Sequence, residues 1–393
     1  MTTPLTETRR AEVVVQLPPI EVWHALTRPD YLSYWIVDRA EVDLRIGGTY
    51  NLHAMPWLDM RGHIEKLVEG RRIVLRPSHR QDDARVEIDL IKEASGETRV
   101  CVDQPEPELT EPLRDALENL RSVWELGVDL REARRGILGV GVADIRPAER
   151  PIGGVPEGTG ARISAVVPGG GAEQAGLLRG DVVIAAAATP VHSAADLVRV
   201  IRGSRPGAAL RLEVVRDGER RVMEPVLGER VNRTQPPPPQ LELLDRLRAA
   251  VADADAALEE AVRGLGDVAA YRPEAAGRWS VAQVLAHLSV VERTTQAALD
   301  EAARGGSPLL EGDSMTAPWR LGAVLTDRPS VGELVARVRR DEAETIAMLE
   351  GVPSNVVAFK PRWMRVCHIA LDYNTHSADH LAQIARVRKA VGA

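Results

Sequence analysis

Residues 365–390 read RVCHIALDYNTHSADHLAQIARVRKA, and apolar side chains recur there at helical spacing through Val366, Ile369, Tyr373, Ile384 and Val387. The pattern predicts an amphipathic helix whose apolar stripe faces packed neighbours. His376 and His380 fall inside the stripe, four residues apart, so both imidazoles point inward on one side. A neutral imidazole carries one donor and one acceptor, and burying either unpaired costs about 1–3 kcal/mol. A metal shared by both rings satisfies the acceptors; the alternative is a pair of core histidines with ordinary partners. A third imidazole is available in WSVAQVLAHLSVVERTTQAALDEA, residues 279–302, where His287 lies between Val284 and Val291 on the apolar side. Three protein ligands with a position left for water or substrate is the pattern of a catalytic metal, whereas structural zinc is usually closed by four.

The phrases around these histidines resemble the DinB-like superfamily of four-helix bundles. They are LELLDRLRAAVADADAALEEAV, WSVAQVLAHLSVVE, SVGELVARVRRDEAETIAMLEGV and THSADHLAQIARVR, one for each helix. The resemblance implies helices near 241–265, 280–303, 331–351 and 362–391. It also implies a divalent metal held by three histidines, carried over here to His287, His376 and His380. Zn²⁺ is the first expectation, and Ni²⁺, Mn²⁺ and Fe²⁺ are alternatives because three imidazoles suit them all. Some family members are thiol-dependent S-transferases, so the resemblance implies a low-molecular-weight thiol, while metal-assisted hydrolysis fits the same ligands. Glu292 and Asp372 are candidate acceptors for an imidazole N–H.

At 393 residues the chain is too long for one ordinary core and suggests two or three domains. A net charge of −7 gives no broad basic surface, which argues against nucleic-acid binding as the main activity. Only two cysteines, Cys101 and Cys367, are present, which points away from a disulfide framework and toward a cytoplasmic protein. The longest apolar run, VVIAAAA, is far short of the roughly 18 residues that span a bilayer.

Residues 8–134 alternate like strands, with a proline-opened helix in PPIEVWHALTRPD and a long amphipathic helix in LTEPLRDALENLRSVWELGVDLREARR. A curved antiparallel sheet needs its apolar face covered, and this last helix can cover it. PPIEVWHALTRPDYLSYWI, DLRIGGTY, GHIEKLVEGRRIVL and GETRVCV resemble the START-like (SRPBCC) superfamily, specifically its heat-shock ATPase-activator-like branch. That resemblance implies a helix-grip fold around a cavity for a small hydrophobic ligand, with Trp23, Tyr34 and Trp35 as candidate lining.

Between residues 135 and 230 the texture changes to short strands and glycine. GILGVGVADI, PGGGAEQAGLLRGDVVIAA, SAADLVRVIRGS and ALRLEVVRDGERRVMEPVLG resemble a PDZ domain of the HtrA type. The resemblance implies that a protein C-terminus docks against the amides of Ile137, Leu138, Gly139 and Val140. The peptide would add a strand beside Val142, with Leu197 and Ile201 walling the terminal side-chain pocket. No glycine-bracketed serine motif of a trypsin-like protease precedes this segment, so an HtrA protease is excluded. VNRTQPPPPQ, residues 231–240, reads as a semi-rigid polyproline spacer.

The expectation is therefore a multidomain α+β protein. It comprises a helix-grip domain (8–134), a PDZ-like β-rich domain (135–230), a proline-rich linker (231–240) and an all-α four-helix bundle (241–393). Its function is expected to be that of a cytoplasmic metal-dependent thiol transferase or hydrolase. The alternative is a non-enzymatic scaffold that binds protein C-termini and a hydrophobic ligand, with a vestigial bundle.

Overall fold

The structure, a computed structural model, describes residues 9–37, 39–54, 58–78, 84–104, 106, 109–145, 155, 159–167, 169–275, 278–308, 315–373 and 376–392. It divides into two compact units, Met1–Val128 with Pro236–Ala393, and Asp129–Gln235. The architecture is multidomain α+β: a curled N-terminal sheet, a central PDZ-like sheet and a mostly helical C-terminal domain.

The N-terminal module is a seven-stranded sheet in the order β1-β7-β6-β5-β4-β3-β2. Its strands are β1 (Arg9–Val15), β2 (Arg39–Val42), β3 (Thr49–Ala54), β4 (Leu58–Val68), β5 (Arg72–Pro77), β6 (Val86–Lys92) and β7 (Thr98–Gln104), all paired antiparallel. Alternation puts Val13, Ile88, Leu90 and Val100 on one face, where they are buried. That face is covered by α1 (Pro19–Thr27), α2 (Pro29–Trp35) and α3 (Thr110–Glu125), whose Leu117, Leu120 and Val123 enter the same core. Each is worth about 1.5–3 kcal/mol of apolar burial. Gly48 permits the turn into β3, because a Cβ there would lie 2.0 Å from the Asp43 carbonyl oxygen.

The C-terminal domain is built on α8 (Gln240–Val262), α10 (Val281–Ala303), α12 (Val331–Glu350), α14 (Lys360–Tyr373) and α15 (His376–Val391), with short α9 (Asp267–Ala270), α11 (Pro318–Val324) and α13 (Ser354–Ala358) between them. Ser280 with Gln283 and Ser330 with Glu333 form capping boxes that start α10 and α12. The fourth helical stretch, expected over residues 362–391, is observed as α14 and α15 on either side of residues 374–375, which lie outside the described residues.

This domain packs on the N-terminal module within one unit. Phe359 sits 5.1 Å from Tyr31, 6.0 Å from Tyr34 and 6.2 Å from Trp124 between ring centroids. The Arg365 guanidinium lies 4.1 Å over the Tyr34 ring and donates to the Ser33 carbonyl oxygen at 3.1 Å. Met364 joins the core under the sheet. The proline run is also part of this packing, contrary to the expected spacer. Pro238 accepts from Trp363 Nε1 at 2.8 Å, and Pro237 closes on Gly127. A free polyproline stretch would leave that indole N–H without its acceptor.

The second unit holds β8 (Val140–Asp144), β9 (Ala161–Val166), β10 (Val182–Ala186), β11 (Thr189–Pro190), β12 (Leu212–Arg216) and β13 (Glu219–Met223). Their order is β13-β12-β10-β9-β8, with β11 paired to β10. Helices α4 (Leu130–Ala133), α5 (Gly171–Gln174), α6 (Ala194–Arg202) and α7 (Val231–Thr234) complete it. Asp217 and Gly218, both at positive φ, make the hairpin from β12 to β13. The core gathers Leu138, Ile163, Leu177, Val183, Leu197, Leu212 and Val214. Asp181 is almost fully buried and accepts from Arg216 Nε at 2.6 Å, Arg216 Nη2 at 2.7 Å and the Leu178 amide at 2.8 Å.

Candidate functional site

Strand β8 is an edge, with β9 on one side and no sheet partner among the described residues on the other. An edge strand is a ready template for another chain. The loop that leads into it begins at Ile137, whose amide and carbonyl are both paired to Gly228, at 3.0 and 2.8 Å. The next two amides, of Leu138 and Gly139, have no acceptor among the described residues. Gly139 takes φ +76, the alternation of backbone hand that turns successive amides toward one point. The carbonyls of this loop are occupied behind it: Leu138 accepts from Ala172 at 3.0 Å and Gly139 from Val167 at 2.8 Å. That fixes the loop from the back.

Helix α6 is the facing element. Ser193 caps it by accepting from the Asp196 amide at 3.2 Å, and its hydroxyl donates back to the Asp196 carboxylate at 2.9 Å, the first cause of the lowered Asp196 pKa. Asp144, the last residue of β8, accepts from the Ala194 amide at 2.7 Å and sets the spacing of strand and helix at that end. Leu197 and Ile201 are one turn apart and buried against Leu138 and Leu177, while Val140 and Val142 are half-buried. All seven residues expected to form a peptide site thus lie along β8, its entry loop and α6.

In the N-terminal module a cavity of about 240 Å³ lies between the sheet and α3. Its wall is largely apolar, with Leu26, Leu52, Ile88 and Leu117, and Gln104 and Glu106 are among its polar lining residues. Of the expected lining residues, Trp35 is present. Trp23 is buried in the core, and Tyr34 belongs to the aromatic cluster around Phe359. Tyr50, which the sequence did not single out, reaches the cavity and donates its hydroxyl to the Leu26 carbonyl at 2.6 Å; burial pushes its pKa up.

In the helical domain the rings of His287 and His380 meet at 4.7 Å between centroids. Nδ1 of His287 is 3.0 Å from the Met315 carbonyl oxygen, and Nδ1 of His380 is 3.1 Å from Gln383 Oε1. The His376 side chain lies outside the described residues. Among the described residues no three His, Cys, Asp or Glu side chains are grouped so as to hold a metal ion. The expected metal-dependent transferase or hydrolase is corrected to this extent: of its three expected ligands the described residues bring together His287 and His380, and they group no metal site. Among the described residues Glu292 of α10 accepts from Thr345 of α12, and Asp372 is exposed.

What the sequence did not reveal is a buried polar seam between α10 and α12. Ser289 donates to Asp341, Thr345 donates to Glu292, and Glu342 lies beside them. Glu292, Thr295, Glu342 and Thr345 line a void of about 20 Å³, enough for about one water. Glu342 Oε2 has no hydrogen-bond partner among the described residues, and burial first, then the charges of Asp255 and Glu292, push its pKa up to about 8. From its ordinary value of 4.5 up to about 8 the folded state holds a proton that the unfolded state has lost, so stability falls as pH rises through that window and levels off above it. Glu342→Gln is expected to remove this slope. It should stabilise the unit at pH 8 by on the order of a few kcal/mol and leave it unchanged at pH 4.5, read from thermal melts. A gain that is equal at both pH values would refute the assignment.

Comparison with known families matches three consecutive stretches: "Activator of Hsp90 ATPase homolog 1-like protein" over residues 16–126, "PDZ domain" over 125–224 and "DinB superfamily" over 250–384. The chain therefore carries an N-terminal AHSA1-like domain, a central PDZ domain of HtrA/DegP-type homology and a C-terminal DinB-like helical domain. The match bears out the heat-shock ATPase-activator-like branch expected for this module, and it does not extend to the wider START-like (SRPBCC) superfamily or its ligand binding.

Among curated relatives, a "Probable periplasmic serine endoprotease DegP-like" of Ectopseudomonas mendocina (strain ymp) is 32% identical over 94 residues, 24% of this chain and 20% of that protein. The "Putative serine protease HhoA" of Synechocystis sp. is 40% identical over 68 residues, 17% of each chain. The chain thus spans about a fifth of the curated relatives it matches. Among solved structures, the HtrA3 PDZ domain bound to a phage-derived ligand (FGRWV) is 18% identical, covering 24% of this chain and 85% of that one, with TM-score 0.21. The Aha1 dimer from Colwellia psychrerythraea is 13% identical, covering 29% and 92%, with TM-score 0.27. The expectation of a cytoplasmic protein is overturned by the DegP-like relatives, which are named as periplasmic. Cysteine usage is a weak guide here, because Cys101 and Cys367 are both buried and unpaired with each other, and burial pushes both thiols up in pKa.

Proposed function

We propose that the chain is a non-enzymatic adaptor whose PDZ domain captures the free C-terminus of a partner protein. The observation that carries this reading is the entry loop of β8, with the Leu138 and Gly139 amides lacking an acceptor beside an open strand edge. A terminal carboxylate would take those amides, the following backbone would pair with β8, and an apolar last side chain would sit toward Leu197 and Ile201. The DegP-type likeness of this segment supports a periplasmic setting. The AHSA1-like cavity, smaller than the roughly 300–1,000 Å³ of drug-sized pockets, suits a small apolar ligand closed off by Gln104 and Glu106.

Fluorescence anisotropy with a library of peptides ending in apolar residues tests the reading. Amidating the terminus removes one charge-assisted partner of the loop amides, worth about 1–3 kcal/mol, so affinity should drop roughly 5- to 150-fold. Equal affinity for the free and amidated forms, or no binding across the library, would discard it.

A further inference from the structure

The face of the N-terminal sheet turned away from α3 carries an open groove of about 940 Å³. Register aligns Val68, Arg72, Asp89 and Cys101 in one row across β4, β5, β6 and β7, and strand alternation places Lys66 and Ile91 on the same face. Ile20 from the start of α1 closes one side.

The charges here run against the chain as a whole, which is −7. Two of the four lysines in the sequence, Lys66 and Lys92, line this one groove together with Arg71. The other two cations on its wall are already engaged: Arg10 pairs with Asp103, and Arg72 with Glu87 and Asp89. Lys66, Arg71 and Lys92 are exposed and have no ion-pair partner among the described residues. Between them stand apolar side chains that water should not favour, Ile20 at 43%, Val68 at 38% and Ile91 at 47% exposure.

We propose that this groove docks an acidic segment of a partner protein that also carries aliphatic side chains. Carboxylates of the segment meet Lys66, Arg71 and Lys92, while its aliphatic groups cover Ile20, Val68 and Ile91. A lipid surface fits less well, since a flat bilayer does not enter a concave site. A nucleic acid would need an unbroken basic stripe, and Glu69 and Asp89 interrupt this one.

The test uses the full-length protein and a labelled peptide of about ten residues built of Glu-Glu-Leu repeats, amidated at its end so that the PDZ loop is not engaged. Binding is expected, and it should weaken at least about tenfold in Lys66→Glu/Arg71→Glu/Lys92→Glu, the summed effect of three exposed charge contacts. It should be lost in about 1 M salt, where the Debye length is about 3 Å. Replacing leucine by serine in the peptide should weaken it as well. If the triple reversal does not fold, the triple alanine variant carries the same comparison. No binding by the wild type, binding that the variants leave unchanged, or preference for phosphatidylserine vesicles or single-stranded DNA over the peptide overturns the proposal.

Discussion

Asp181→Ala is expected to destabilise the Asp129–Gln235 unit by about 3–5 kcal/mol, because it strands the half-buried Arg216 guanidinium without its carboxylate. Arg216 gives Asp181 two hydrogen bonds and a third to the Gly176 carbonyl, and the bonds to Asp181 push its pKa further up. The same carboxylate holds the Leu178 amide, so the turn after α5 loses its anchor too. That turn matters to the peptide loop: the Leu177 amide bonds the Ala172 carbonyl, and the Ala172 amide bonds the Leu138 carbonyl behind the candidate carboxylate site. Urea unfolding followed by circular dichroism should show an earlier transition, with weaker capture of C-terminal peptides even below it. Asp181→Leu with Arg216→Met, which removes both charges, should cost much less than Asp181→Ala alone. An Asp181→Ala protein that unfolds with the wild type would show the pair to be of no consequence.

Trp124→Ala should be nearly as damaging, at about 3–5 kcal/mol, and its reach is the informative part. Trp124 lies at the end of α3, 6.1 Å from Tyr31 and 6.2 Å from Phe359 between centroids, so its loss opens the seam between the sheet module and the helical domain. Lys360 also donates to the Glu125 carbonyl there. The two modules should therefore unfold together, and the variant should shift one shared transition, with Phe359→Ala shifting the same one. Separate transitions, only one of them moved by Trp124→Ala, would mean that the modules are energetically independent.

Much of this was legible in the sequence, for identifiable reasons. The helices of the DinB-like domain follow a 3.6-residue apolar period with Ser-x-x-Gln and Ser-x-x-Glu starts at Ser280 and Ser330, and those rules are local. PGGGAEQAGLLRGDVVIAA is legible because glycine and aspartate hold fixed roles there, Gly176 and Gly180 at positive φ and Asp181 in the buried pair. The turn at Ala187 and Ala188 was not legible, since both take positive φ without the Asn-Gly that usually announces such a hairpin. The polar seam was hidden for another reason. Ser289, Glu292 and Thr295 recur at helical spacing, as do Asp341, Glu342 and Thr345, and a polar stripe on one helix reads as a solvated face until its partner stripe is known to oppose it. The pairing of His376 with His380 is of the same kind, because residues four apart share a face without the sequence saying what stands across from them.

The discontinuity of the first unit has a consequence in time. Glu125 and Lys360 are 235 positions apart, yet they meet in one seam, and the whole PDZ domain is encoded between them. At a synthesis rate of about 5–20 residues per second, the ribosome takes roughly 12–47 s to travel from one side of that seam to the other. For that interval the rings of Tyr31 and Trp124 are made but Phe359 is not, and the nascent AHSA1-like module presents an apolar face to its surroundings while the PDZ domain is completed first.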